Sequence, residues 1–309
     1  GRPPRAALRR RAEFRNQAFG KRSRARHCHL LTQDGADRRF KPVERARYAH
    51  ARFAFAVARQ AGLRRELGVF GNIRPLESVP GLAERHPDVD LVVVRETTEA
   101  IYANLEHESI AGVYESFKVT TKTACERIAR HAFEFAKAHG RKKVTIVHKA
   151  NIMKQSDGLF LRTCQRVGED YPDIEVEDFI VDALCMKLVL TPSRFDVLVC
   201  ANLFGDIVSD LCAGLVGGFA NCPSINVAEG ASVFTVGHGD PANVARTDSA
   251  TPISLLFSCV LLLRDLGEND AADRLMGAVT KTLAAGTRPV RLGGEASTTA
   301  FCDAVIAAL

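Results

Sequence analysis

The sequence predicts an α/β protein whose sheet is covered by helices on both faces. Three observations carry that expectation. Short apolar runs recur at strand length, helical periodicity fills the stretches between them, and the strand runs are continuously apolar, as strands buried on both faces are. The chain has 309 residues, 46% of them hydrophobic, which is enough for a sizeable core.

In chain order, residues 44–66 read as a helix ending near a Gly62 or Gly68 break. Residues 89–94 (VDLVVV) form a short buried strand, and residues 118–138 an amphipathic helix. Residues 143–148 (KVTIVH) are a second strand, and Ser156-Asp157-Gly158 opens a helix that runs through Val167. Residues 195–200 (FDVLVC) are a third strand, followed by a helix over 206–215 and a strand over 232–236. Residues 252–309 are almost all helical. The longest apolar stretch, 253–263, is broken by Ser254, Ser258 and Cys259, so it reads as a buried helix and no membrane span is predicted.

Nine cysteines stand at irregular spacings, with no C-x-x-C and no Cys/His zinc pattern. Most lie in apolar runs and read as reduced, buried thiols. Charge is unevenly placed. Residues 1–50 hold 15 Lys and Arg against 4 Asp and Glu, and the rest of the chain 27 against 32. The net charge of +6 therefore resides in a basic N-terminal arm. Three readings of the arm stay open: an Arg-rich piece of a mitochondrial transit peptide, an anchor on an acidic protein, RNA or anionic lipid, or a solvated tail. It lacks the interleaved aromatics that stack on bases, so nucleic-acid contact would be through residues 1–47 and without sequence reading.

Two glycine-rich loops, 214–218 and 237–241, fit neither the dinucleotide fingerprint nor the P-loop, and alone they read as turns. Asp206 and Asp210 carry more information. At i, i+4 on a helix their carboxylates share one face a turn apart, and a hard cation such as Mg²⁺ or Mn²⁺ would relieve their repulsion. Their neighbours Ile207, Val208, Leu211 and Cys212 are apolar, which argues for a buried helix over a solvated acidic face. Lys149 ends a buried strand, where desolvation can tune an amine to act as a base. Arg64, Arg74 and Arg95 would clamp a tricarboxylate if they converged.

Several runs resemble the isocitrate/isopropylmalate dehydrogenase family, above all the subunits of mitochondrial NAD-dependent isocitrate dehydrogenase. Residues 95–99 (RETTE) resemble the family's R-E-N-T-E, and residues 105–109 (LEHES) its E-H-E-S. Residues 148–153 (HKANIM) with 156–160 (SDGLF) resemble its strand-to-helix signature, and 202–206 (NLFGD) with Asp210 its metal segment. The likeness runs from about residue 63 to the C-terminus. It implies a two-domain fold of that family with a truncated or rewritten first domain. The expected layout is a basic arm at 1–42, a cofactor-side domain from 43–70 and 218–309, and a dimerisation and metal domain at 71–217 with a clasp near 101–120.

The resemblance also implies roles. Arg64, Arg74 and Arg95 would hold substrate carboxylates; Asp206 and Asp210 would bind Mg²⁺ or Mn²⁺, joined by Asp182 from the other subunit of a homo- or heterodimer. Lys149, also across the interface, would take the hydroxyl proton, and Tyr102 would protonate the enolate left by decarboxylation. His238, Gly239, Asn243 and Thr251 would occupy the cofactor-binding positions for NAD in degraded form. Three departures bear on this. There is no G-D-G-I-G-P-E loop; residues 30–35 (LLTQDG) are only a faint echo. The Ser and Asn expected upstream of Arg64 are Ala58 and Gln60. The adenosine loop has Asn243 for the ribose aspartate, Arg246 for glycine, Thr251 for asparagine and Thr235 for the preceding acid. The reading taken is a non-catalytic isocitrate-dehydrogenase-like subunit in the mitochondrial matrix, recruited into an assembly that its basic arm contacts. An active NAD-dependent subunit and an isocitrate-binding regulatory subunit stand as alternatives.

Overall fold

In the computed structural model, residue 64 and residues 66–82, 86–237 and 247–309 are described, all within the unit spanning Ala51–Leu309. The basic arm, the first expected helix up to residue 63, and His238, Gly239 and Asn243 lie outside the described residues.

The strands are β1 (Gly71–Glu77), β2 (Asp90–Glu96), β3 (Glu106–Ile110), β4 (Val113–Ser116), β5 (Lys143–His148), β6 (Glu175–Ile180), β7 (Val197–Cys200), β8 (Pro223–Ala228) and β9 (Ala231–Val236). The α-helices are α1 (Lys122–Ala138), α2 (Ser156–Gly168), α3 (Val181–Leu190), α4 (Asn202–Leu215), α5 (Ile253–Asp265), α6 (Asn269–Ala284) and α7 (Thr298–Ala308). Seven strands make one mixed sheet in the order β6-β5-β7-β2-β1-β8-β9, with β3 and β4 as a separate hairpin. The β6-β5-β7-β2 half is parallel, and β2-β1-β8-β9 is antiparallel. The sheet is continuous across the expected domain boundary at 217/218, because β8 pairs with β1.

The expected covering of both faces is present, and the strand period explains it. Val92, Val94, Ile146, Val197 and Val199 point to one side and pack with α1 and α2 around Ile128, Phe133 and Phe160. Leu91, Val93, Val147, Leu198 and Cys200 point to the other and pack with α3 and α4 around Leu184, Leu188 and Val208. A third cluster joins α5, α6 and α7 through Ile253, Leu283 and Phe301. Among the described residues no helix is long and apolar enough to cross a membrane. Cys125, Cys164, Cys200, Cys212 and Cys222 are buried free thiols, as expected. Burial pushes the Cys125 and Cys222 thiols up to about 12, well away from reactivity near neutral pH.

Element edges differ from expectation where caps and tertiary contacts decide them. Helix α1 starts at Lys122 and not at 118, because the Thr121 hydroxyl accepts from Ala124 N at 3.3 Å and caps it. Helix α4 begins four residues early, at Asn202, directly off β7. It is also less buried than its composition suggests: Ile207 is 53% exposed.

Candidate functional site

The carboxyl end of β2, the middle of β1 and the first two turns of α4 meet in one pocket. Arg95, the last residue but one of β2, lies across the start of α4. Its Nε and Nη2 donate to Asn202 Oδ1 at 3.0 and 2.8 Å, and its Nη1 pairs with Asp206. That approach requires Gly205: a Cβ there would stand 2.6 Å from Arg95 Cγ and 3.2 Å from its Cα. Arg74, from β1, donates through Nη1 to Asp210 Oδ1 and Ser209 Oγ, both at 2.7 Å. Its guanidinium also sits 5.2 Å from the Phe219 ring centroid.

Arg64 belongs to the same pocket. Its guanidinium pKa is lowered by burial and then by the neighbouring charges of Arg95 and Arg74. Arg95 is lowered too, by burial first. Arg74 and Arg95 thus converge on Asp206, and Arg64 lies near enough for their charges to act on it. Tyr102 completes the cluster, donating its hydroxyl to Asp206 Oδ2 at 2.5 Å. Burial and that bond raise its pKa, so the phenol stays protonated at neutral pH. Tyr102 is delivered by a short 3₁₀ turn, Ile101–Ala103, whose preceding residue Ala100 has φ +64° and is buried. A non-glycine residue in that conformation is strained. The bridge of Ala100 to Val119 holds it there.

Lys149 and Asp182 are elsewhere. They pair with each other where β5 and β6 run into α2 and α3, and the Asp182 side chain is 68% exposed. A buried scaffold stands behind them. Asp157 accepts from Lys149 N at 2.7 Å and pairs with Lys118. His148 Nδ1 accepts from Ala150 N at 3.0 Å, so its Nε2 carries the proton facing Asp178 Oδ2 at 3.0 Å. Thr251, the one described member of the expected cofactor set, is buried, and its hydroxyl accepts from Ile253 N at 3.4 Å at the start of α5. Its side chain is thus turned into the fold and not towards a ligand surface.

For a metal the donor chemistry fits. Asp206 and Asp210 offer hard oxygens a turn apart, their side chains 35% and 61% exposed. Among the described residues no three His, Cys, Asp or Glu gather as a metal set, so further oxygens would have to come from substrate, water or another subunit. Sequence reasoning missed Asn202, Gly205, Ser209, Asn72 and Asn226 as site residues. Asn202 and Gly205 stood in the N-L-F-G-D run and could have been found there; the asparagines on β1 and β8 carried no comparable signal.

Comparison with known proteins agrees with this architecture and gives it a family. The profile described as isocitrate/isopropylmalate dehydrogenase matches residues 48–305. A mitochondrial isocitrate dehydrogenase [NAD] catalytic subunit of Arabidopsis thaliana, its number 5, is 47% identical over 245 residues, 79% of this chain and 66% of that protein. A mitochondrial isocitrate dehydrogenase [NAD] regulatory subunit of Dictyostelium discoideum is 46% identical over 79% of this chain and 70% of its own length. The chloroplastic 3-isopropylmalate dehydrogenase of Solanum tuberosum is 48% identical over 74% of this chain and 64% of its own length. The chain thus spans just under two thirds of the first of these relatives. The crystal structure of isocitrate dehydrogenase from Methylococcus capsulatus superposes with a TM-score of 0.76 at 40% identity, covering 80% of this chain and 75% of that one. Fold and pocket define a dehydrogenase-type α/β protein with an arginine-lined acidic site. The chain belongs to the isocitrate/isopropylmalate dehydrogenase family.

Proposed function

We propose that this chain is an isocitrate-dehydrogenase-like subunit that keeps a site for a tricarboxylate and a divalent ion but does not transfer hydride. It would work in mitochondria beside other family members, as a homo- or heterodimer or within a larger assembly reached through its basic arm. Relatives at this identity include both catalytic and regulatory subunits named as mitochondrial, which supports the setting.

The observation that carries the reading is the charge balance of the pocket. Arg74 and Arg95 pair with Asp206 and Asp210, and Arg64 lies nearby. A trianionic substrate entering with Mg²⁺ or Mn²⁺ brings one net negative charge to a pocket with one net positive charge. Arg64, Arg74 and Arg95 can then turn to substrate carboxylates while Asp206 and Asp210 turn to the cation, leaving no buried charge alone. When bound, the ion supplies a Lewis-acid centre for a hydroxyl or carbonyl oxygen. Tyr102 holds a proton at its phenol oxygen beside that position. Asp182 is exposed with Lys149 half-buried beside it, where a neighbouring subunit's pocket could take them. The non-catalytic assignment rests on the substitutions at Thr235, Asn243, Arg246 and Thr251 and on the inward hydroxyl of Thr251.

Purified protein tests this directly. Calorimetry should show isocitrate binding that strengthens when Mn²⁺ is present, no binding of NAD, and no isocitrate-dependent reduction of NAD. Absence of isocitrate binding with Mn²⁺ would sink the pocket reading. Turnover at an ordinary dehydrogenase rate would overturn the non-catalytic one. The retained Tyr102–Asp206 contact is the observation that favours that second outcome.

A further inference from the structure

A chain of buried polar side chains runs across the sheet from β9 to the pocket. Arg74 Nε donates to Asn72 Oδ1 at 3.0 Å, Asn72 Nδ2 donates to Asn226 Oδ1 at 3.2 Å, and Asn226 Nδ2 donates to Thr235 Oγ1 at 2.9 Å. Thr235 then meets Ser224 Oγ at 2.7 Å. Asn72 is 1% exposed, Asn226 3% and Arg74 9%. Two buried amides in the middle of a sheet are unfavourable unless every group is paired. Here they are paired, and only in one sense.

The direction follows from the guanidinium. It has donors and no acceptor, so Asn72 must turn its oxygen to Arg74 and its NH₂ to Asn226. Asn226 must then turn its oxygen to Asn72 and its NH₂ to Thr235, which must accept. The chain of bonds that Arg74 Nε starts is therefore closed by an accepting hydroxyl on β9, three hydrogen bonds away. At the other end of the same guanidinium, Nη1 meets Ser209 and Asp210. Strand β9 leads directly to Gly237, whose N is itself tied to Ser254 Oγ at 3.3 Å.

We propose that Asn72, Asn226 and Thr235 form a directional positioning relay that orients Arg74, and through it Asp210, coupling the tricarboxylate pocket to strand β9, which precedes residues 238–246. The relay depends on the pocket reading only for what Arg74 holds; its existence is a separate matter.

Arginine-labelled protein separates the two. The Arg74 Nε–H resonance, assigned by its loss in Arg74→Lys, should exchange slowly with solvent. Thr235→Val, which keeps shape and removes the acceptor, should speed that exchange about tenfold, as loss of one buried hydrogen bond does. Thr235→Ser should restore it. The Arg95 Nε–H, bonded to Asn202 outside the relay, should not change. Asn226→Leu should act as Thr235→Val does, and Asn226→Asp, which still accepts from Asn72 and from a turned Thr235 hydroxyl, should retain most of the protection. The affinity for isocitrate with Mn²⁺ should fall about tenfold in Thr235→Val. Unchanged Arg74 exchange in Thr235→Val, or equal acceleration at Arg95, would overturn the relay. If the wild-type protein binds no isocitrate while Arg74 exchange responds as described, the pocket reading fails and the relay stands.

Discussion

The arginine–aspartate pocket and the Lys149–Asp182 corner are built in opposite ways. In the pocket Arg74 and Arg95 are buried and pair with Asp206 and Asp210 within the chain. At the corner Asp182 is exposed and Lys149 half-buried, and full burial is confined to the scaffold behind them: Asp157 at 1% and His148 at 5%. The pocket is a cluster of opposite charges paired within the chain. The corner is an ion pair held on a buried scaffold. The difference lies in where burial falls: on the arginines themselves in the pocket, and on the residues behind the ion pair at the corner.

The largest expected effect separates scaffold from pair. Asp157→Ala leaves Lys118 facing a buried, unpaired site and frees Lys149 N, so urea unfolding should lose about 3–5 kcal/mol. Asp182→Ala removes an exposed carboxylate and should leave the urea midpoint unchanged. Equal losses in both variants would erase the distinction. A smaller effect probes strain in the pocket: Ala100→Gly should raise stability by about 1 kcal/mol, because glycine adopts φ +64° without a Cβ penalty. A drop in thermal midpoint would show that the Ala100 methyl packs more strongly than its backbone is strained. The smallest effect is electrostatic. The Lys149 ammonium bonded to Asp182 holds that carboxyl below its usual range. Its folded pKa is depressed, so any stability it contributes is present above the unfolded value near 3.8 and is lost as pH falls through the folded one. Carbon-detected NMR titration of Lys149→Met should move the Asp182 midpoint upward; an unmoved midpoint would dissolve the pair.

The elements most readable in the sequence were those with nothing to do but pack. The strand expected at 143–148 is β5 to the residue, and the amphipathic pattern of α1 places Ile128, Ala129, Ala132 and Phe133 inside as periodicity demands. The unread strands were β1 (GNIRPLE) and β8 (PSINVA). Their apolar pattern is interrupted by Asn72, Arg74 and Asn226, the residues that serve the pocket. Strand β6 was also missed, since as an edge strand it alternates with charged residues and lacks a continuous apolar run. The exposed hairpin of β3 and β4 was legible only through its likeness to family motifs, since none of its residues is buried.

Local chemistry and spacing alone determined the α/β class and the helix that brings Asp206 and Asp210 onto one face, while the three arginines became a candidate set through the family resemblance. Only the tertiary structure decided that Arg74 and Arg95 converge, which partner each one takes, and that Lys149 and Asp182 stand apart from them. The reason is separation along the chain: Arg74 finds Ser209 across 135 positions and Asn72 finds Asn226 across 154. Hydrogen-bond directions at such range are settled by the register of β1 against β8, which no local pattern encodes.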